Sequence, residues 1–209
     1  MSIDPSGRGK DELAVTIIGV LNGYLFLLKN IGLQGGYIGE NLKKIALLAK
    51  EYKVNKIVIE SNFGDGMFTT LMLPVLNRIH PCEVEEVRHN TQKERRIIDT
   101  LEPILNQHKL IVGKNVIKED IEQIKRYPDE YKKEYSLIYQ MTHLTKDRGC
   151  LGHDDRLDSL AIAAAACLNL LAVDVEKILL EKEEAEFEKY LQEYFGDDTE
   201  EAESNWFNL

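Results

Sequence analysis

Cysteine is scarce in this chain, and what there is does not pair: Cys82, Cys150 and Cys167 form no CxxC spacing and leave one thiol unmatched in any disulfide scheme. That excludes a disulfide scaffold and a structural zinc site, and it points to a reducing compartment. Long apolar runs are missing too. The longest candidate, residues 157–173, is interrupted by Asp158, Ser159 and Asn169. Nothing is patterned as a signal peptide or a bilayer span, so a soluble protein without membrane contact is expected. A phosphate loop is also lacking. Gly7-Arg8-Gly9-Lys10 is too short and wrongly spaced for GxxxxGK[ST], which excludes motor activity from this chain.

A basic balance is the last absence. The formal net charge is -10, but from residue 175 onward twelve acids face three bases, a net of -9. Residues 1–174 hold 24 acids and 23 bases, a net of -1. We therefore expect two regions, a globular domain over 1–174 and an acidic helix and tail over 175–209. The acids of the near-neutral region include candidate metal ligands, whose charge a bound cation would offset.

Hydrophobic spacing sets the elements. A short apolar stub ends at Asp4, and residues 13–21 (LAVTIIGVL) read as a buried strand. Asn22-Gly23 turns the chain into a third antiparallel strand over 24–28. Helical spacing over 40–52 precedes the strand Lys56-Ile57-Val58-Ile59, and 67–79 is a helix despite Pro74. A strand is expected over 83–87, a basic-then-apolar helix over 91–105, a short strand over 109–112 and a helix over 116–126. Residues 136–143 read as extended and amphipathic, 154–171 as one long helix, 176–195 as a charged helix, and the closing GDDTEEAESNWFNL as disordered. A hairpin meander joined to a strand–helix–strand crossover makes an α/β fold, a mixed sheet with helices on its faces.

Carboxylates fall where buried elements end. Asp4 closes the first strand, Glu60 closes KIVIE, and Asp154, Asp155 and Asp158 open the long helix, with Asp155 and Asp158 on one face. Each has an ordinary role on its own: a turn former, a solvated strand end, helix-capping acids. Asp158 is the exception, because an unpaired charge one turn into an apolar helix is costly. Taken together they suit phosphodiester cleavage. Two divalent cations about 3.5–4 Å apart generate the nucleophile and stabilise the leaving oxygen, and carboxylates are the ligands such hard ions take.

DPSGRGKDE, IVIESNFGDG, QKERRIIDTLEPILNQHKLIV and GHDDRLDSLAIA, in that order, resemble the motifs of the RNase H-like nuclease domains of phage terminase large subunits. The resemblance covers most of residues 1–171. It implies an RNase H-like mixed β-sheet flanked by helices on both faces, and an endonuclease that cuts concatemeric double-stranded DNA with little sequence preference. It further implies Asp4, Glu60 and Asp155 as catalytic acids, Asp158 as the alternative third ligand, His153 or Asp154 assisting, and two Mg²⁺ or Mn²⁺ ions. Lys93, Arg95 and Arg96 would contact the DNA backbone, with Arg88 as a further candidate. The full-length protein would carry an N-terminal ATPase motor and meet a portal and a small terminase subunit in the cytoplasm of an infected bacterium. GHDDRLDSLAIA also resembles the last motif of RuvC-type resolvases. A junction resolvase and a non-catalytic docking module are the rival expectations.

Overall fold

The computed structural model describes residues 1–6, 11–61, 66–171 and 175–195. The chain divides into two compact units, Met1–Leu171 and Ala172–Leu209. The first contains a six-stranded sheet of order β5-β4-β1-β2-β3-β6. Its strands are β1 (Ser2–Asp4), β2 (Leu13–Leu21), β3 (Tyr24–Leu33), β4 (Lys56–Glu60), β5 (Glu83–Val87) and β6 (Leu110–Val112). β1, β2 and β3 are antiparallel neighbours, while β4 is parallel to β1, β5 to β4 and β6 to β3. The sheet is therefore mixed, as expected.

Strand alternation gives the sheet two chemically different faces. Ile3, Leu13, Val15, Ile17, Ile31, Leu33, Ile57 and Ile59 point to one, where they form a core with α1 (Gly39–Glu51) and α2 (Met67–Ile79). The residues between them, Ser2, Asp4, Ala14, Thr16, Asn30 and Glu60, are small or polar, buried, and on the opposite face. There lie α3 (Lys93–Asn106), α4 (Lys114–Ile124), α5 (Leu137–His143) and α6 (Asp155–Ala165). A bulge switches the parity within β3: Ile17 pairs with Lys29 but Ile18 with Leu27, leaving Leu28 as the extra residue. Leu25 and Leu27 consequently join the core of the second face, with Ile97, Leu101, Leu157 and Leu160.

α6 is seated on the polar face by hydrogen bonds. Ser2 Oγ donates to Ser159 O at 2.6 Å, and Asn30 Nδ2 donates to Thr16 Oγ1 at 2.8 Å and to Arg156 O at 3.0 Å. Arg156 is wholly buried and spans two acids. Its Nε and Nη2 meet Glu12 at 2.7 and 3.0 Å, and its Nη1 meets Asp120 at 3.0 Å. Glu12 also accepts from Tyr127 Oη at 2.5 Å and from Arg126. Burial pulls the Glu12 pKa upward, but Arg156, Tyr127 and Arg126 outweigh it and hold the carboxyl below the ordinary glutamate range. Gly32 is required beside it, since a Cβ there would lie 1.8 Å from the Glu12 carboxylate.

Three elements depart from expectation, the first being β3, which runs to Leu33 rather than ending at 28. Residues 136–143, expected to be extended, form α5 after a 3₁₀ turn over Lys132–Tyr135. Ser136 caps α5, its Oγ accepting from Tyr139 N at 3.3 Å while donating to Asp120 at 2.6 Å. Leu137 and Gln140 face inward, and Gln140 Oε1 accepts the Leu157 N–H at 2.9 Å. An inward polar residue hid the helical period. The long helix also stops at Ala165 and resumes as α7 (Leu168–Leu171). In the second unit, α8 (Val175–Phe195) carries ion pairs Lys182–Glu186 and Lys189–Glu193 at i,i+4, with Leu180, Phe187 and Tyr194 exposed. The expectation for GDDTEEAESNWFNL lies outside the described residues. Among the described residues no helix is long and apolar enough to cross a membrane.

Candidate metal centre

β1 and β4 lie side by side and in parallel, with Ser2 opposite Val58 and Ile3 opposite Ile59. Their ends coincide, so Asp4 and Glu60 emerge together on the face that carries α6. One turn into α6, Asp158 points back at them. One oxygen from each of Asp4, Glu60 and Asp158 lies within 4.8 Å of the other two. All three side chains are buried, Asp158 completely. The cluster lines a cavity of about 280 Å³ whose other wall includes His89, Lys93 and Arg96.

The cations belong to the first turn of α3. Lys93 Nζ stands 2.8 Å from Asp154 Oδ1, 3.0 Å from Asp158 Oδ2 and 3.9 Å from Asp4 Oδ2. Arg96 Nη2 is 2.7 Å from Asp158 Oδ1 and 3.7 Å from Glu60 Oε1. His89 Nδ1 is 3.0 Å from Glu60 Oε1. Asp4 Oδ2 is buried with no hydrogen-bond partner. Burial drives the Asp4 carboxyl well above the ordinary aspartate range. Lys93 opposes the shift, and Asp158, Glu60 and Asp155 add to it. Lys93 is pushed the other way: burial would lower its pKa, but Asp158, Asp4 and Asp154 hold its proton more tightly than usual.

Asp155 sits apart from this trio. It forms a second group with Asp11 and His153, accepts the Glu12 N–H on Oδ2 at 3.2 Å, and is pushed up to about 7 by burial, with Asp154 and Asp11 adding and Lys93 opposing. His153 stacks on Tyr135 at 3.9 Å and lies 3.7 Å from Asp11 Oδ1. Of the basic residues singled out in the sequence, Lys93 and Arg96 turn into the acidic nest, while Arg95 and Arg88 are exposed. Sequence reasoning missed Asp11, Glu12 and Arg156. The signal for Arg156 was available, an arginine inside the first turn of an apolar helix, where a charge is kept only with partners.

Buried carboxylates converging from two strand ends and a helix, with Asp4 Oδ2 and Asp158 Oδ1 lacking hydrogen-bond partners, suit a hard divalent cation. With that geometry in hand, comparison with known proteins is decisive. A family model described as Terminase Bacteriophage T7, Ribonuclease H-like domain, matches residues 3–110, over half of the chain. The chain belongs to this family. It is 40% identical over 190 residues to the terminase large subunit of Enterobacteria phage T3, an alignment covering 91% of this chain and 32% of that protein. The chain thus spans about a third of the length of that relative. A looser structural likeness is to a mutant nuclease domain of the large terminase subunit gp2 of bacterial virus Sf6 with manganese and beta-thujaplicinol. The TM-score is 0.45 and the identity 10%, covering 78% of this chain and 86% of that one. The mixed sheet with helices on both faces agrees with the Ribonuclease H-like domain that the family model describes over residues 3–110, and that model and the phage T3 relative bear out the resemblance seen in the sequence motifs.

Proposed function

We propose that residues 1–174 are the metal-dependent DNA-cutting nuclease of a viral packaging terminase, and that 175–209 are an acidic appendage. The observation that carries the reading is the meeting of Asp4, Glu60 and Asp158 within 4.8 Å in a cavity walled by Lys93 and Arg96. Asp4 would supply its unpartnered Oδ2, Glu60 a carboxylate steadied by His89, and Asp158 a carboxylate fixed by the anchored first turn of α6. Two ions, Mg²⁺ or Mn²⁺, would supply an activated water and charge stabilisation of the leaving oxygen when bound. Asp158 is the better third ligand on geometry, with Asp155 close enough to act on Asp4 electrostatically.

The substrate in this reading is double-stranded DNA. Arg95 and Arg88 on the surface offer contacts to phosphates rather than to base edges, which suits cutting with little sequence preference. The ATPase motor, the portal and the small terminase subunit would be supplied by the larger protein and its assembly, in the cytoplasm of the infected bacterium. Supercoiled plasmid incubated with the protein and Mn²⁺ or Mg²⁺, without ATP, tests the proposal. Nicking and linearisation that stop in EDTA are expected. Cleavage that persists in chelator would overturn it.

A further inference from the structure

Both oxygens of Asp158 already face cations, and Arg96 Nη2 donates to Oδ2 at 2.9 Å. Oδ1 meets Arg96 at 2.7 Å and Oδ2 meets Lys93 at 3.0 Å. A divalent cation held by Asp4, Glu60 and Asp158 needs oxygens that these two side chains contact, and like charges crowded in a buried nest repel strongly. One of the two must leave. Arg96 is the fixed one: its side chain is 12% exposed, and its Nη2 lies between Asp158, at 2.7 Å, and Glu60, at 3.7 Å. Lys93 is the movable one. It stands at the first position of α3, its side chain is 36% exposed, and an ammonium on a flexible four-carbon stem reorients readily.

We propose that Lys93 is the resident counter-cation of the carboxylate nest, exchanged for divalent metal and released to a DNA phosphate. The inference rests on the nuclease reading and deepens it, since it makes ion binding and DNA binding strengthen one another through one side chain. Such coupling is reciprocal by thermodynamic necessity. The ammonium that neutralises Asp154, Asp158 and Asp4 before the exchange becomes a backbone contact after it.

Two measurements test this. The first is Mn²⁺ affinity by titration calorimetry for the wild type, Lys93→Met, Lys93→Gln and Arg95→Met. Arg95→Met removes the same unit charge from the same helix without touching the nest. Lys93→Met and Lys93→Gln should bind Mn²⁺ on the order of tenfold more tightly than wild type, and Arg95→Met should stay close to wild type. The second is the salt dependence of affinity for a short duplex, checked intact on a gel, in Ca²⁺ and in EDTA. In Ca²⁺ the wild-type slope of log K against log salt should be steeper than that of Lys93→Met by one phosphate contact, about 0.9. In EDTA the two slopes should coincide. Equal tightening by Arg95→Met, or a slope difference already present in EDTA, overturns the exchange and leaves the nuclease reading standing. A wild-type protein that binds neither Mn²⁺ nor Ca²⁺ overturns both. Lys93→Gln keeps a polar end one atom short of the lysine, so melting curves of the two variants separate loss of the cation from misfolding.

Discussion

Asp158 has no solvent exposure, and an aspartate in that position is retained only where charge of the opposite sign meets it. Lys93 and Arg96 meet it from α3, and Asp4 and Glu60 face it from the strand ends. Asp155 instead groups with Asp11 and His153. The two aspartates therefore make different predictions. Asp158→Asn should lower metal-dependent plasmid cleavage by roughly two orders of magnitude or more, the scale on which a single group stabilising transition-state charge contributes. Asp155→Asn should retain a substantial part of the activity. Cleavage rates at saturating Mn²⁺, with circular dichroism to confirm folding, decide between them. The reverse ranking would return the third ligand to Asp155. The i,i+3 spacing put both acids on one helical face and could not choose between them. The choice depends on where α3 brings its cations, which is tertiary information.

The elements hold the site because α6 is anchored through charge rather than through aliphatic packing alone. Glu12 is the hub, buried against Arg156, Tyr127 and Arg126, and Arg156 lies two residues before Asp158. Glu12→Gln removes one partner of a buried pair and should destabilise the fold by about 3–5 kcal/mol. The pH dependence has a definite sign. The Glu12 pKa is lowered on folding, so its contribution is fully present above the ordinary glutamate value of 4.5 and is lost as pH falls through the lower folded value. Denaturant melts at neutral and acidic pH should show the wild-type advantage over Glu12→Gln shrinking in acid. A gap that is constant or wider in acid would contradict the argument. Most elements were legible in the sequence because their apolar residues recur at a regular period: Leu13, Val15 and Ile17 in β2, and Ile97, Leu101 and Ile104 in α3. Asp4 and Glu60 were legible for the same reason, as the acids at the ends of such strands. The α5 segment was not, because Gln140 faces inward to serve Leu157 and so breaks the apolar period. The Glu12–Arg156–Asp120 network was not either, since its bonded pairs are 144 and 36 residues apart along the chain and no local pattern links them.

Over the whole chain, charge is divided unevenly. The formal net charge of -10 is almost entirely carried by residues 175–209, at -9, and residues 1–174 are left at -1. The described side chains of α8, residues 180–194, are exposed, with Lys182–Glu186 and Lys189–Glu193 pairing along the helix. A polyanionic partner is repelled by such a segment over a Debye length, about 10 Å at 0.1 M salt and longer in dilute buffer. Removing 175–209 should therefore leave the folded sheet and the Asp4–Glu60–Asp158 nest in place, since every one of these residues precedes the cut. It should also raise non-specific duplex affinity several-fold at low salt, with the gain fading as salt rises. Fluorescence anisotropy of a labelled duplex across a salt series, with the melting temperature and Mn²⁺-dependent plasmid cleavage of both lengths, reads all three consequences. A shortened protein that melts normally but binds DNA more weakly at low salt would show that the acidic segment supports the DNA complex rather than opposing it. One that melts early would show that the apolar residues of α8, Leu180, Phe187 and Leu191, contribute to the fold beyond their own helix.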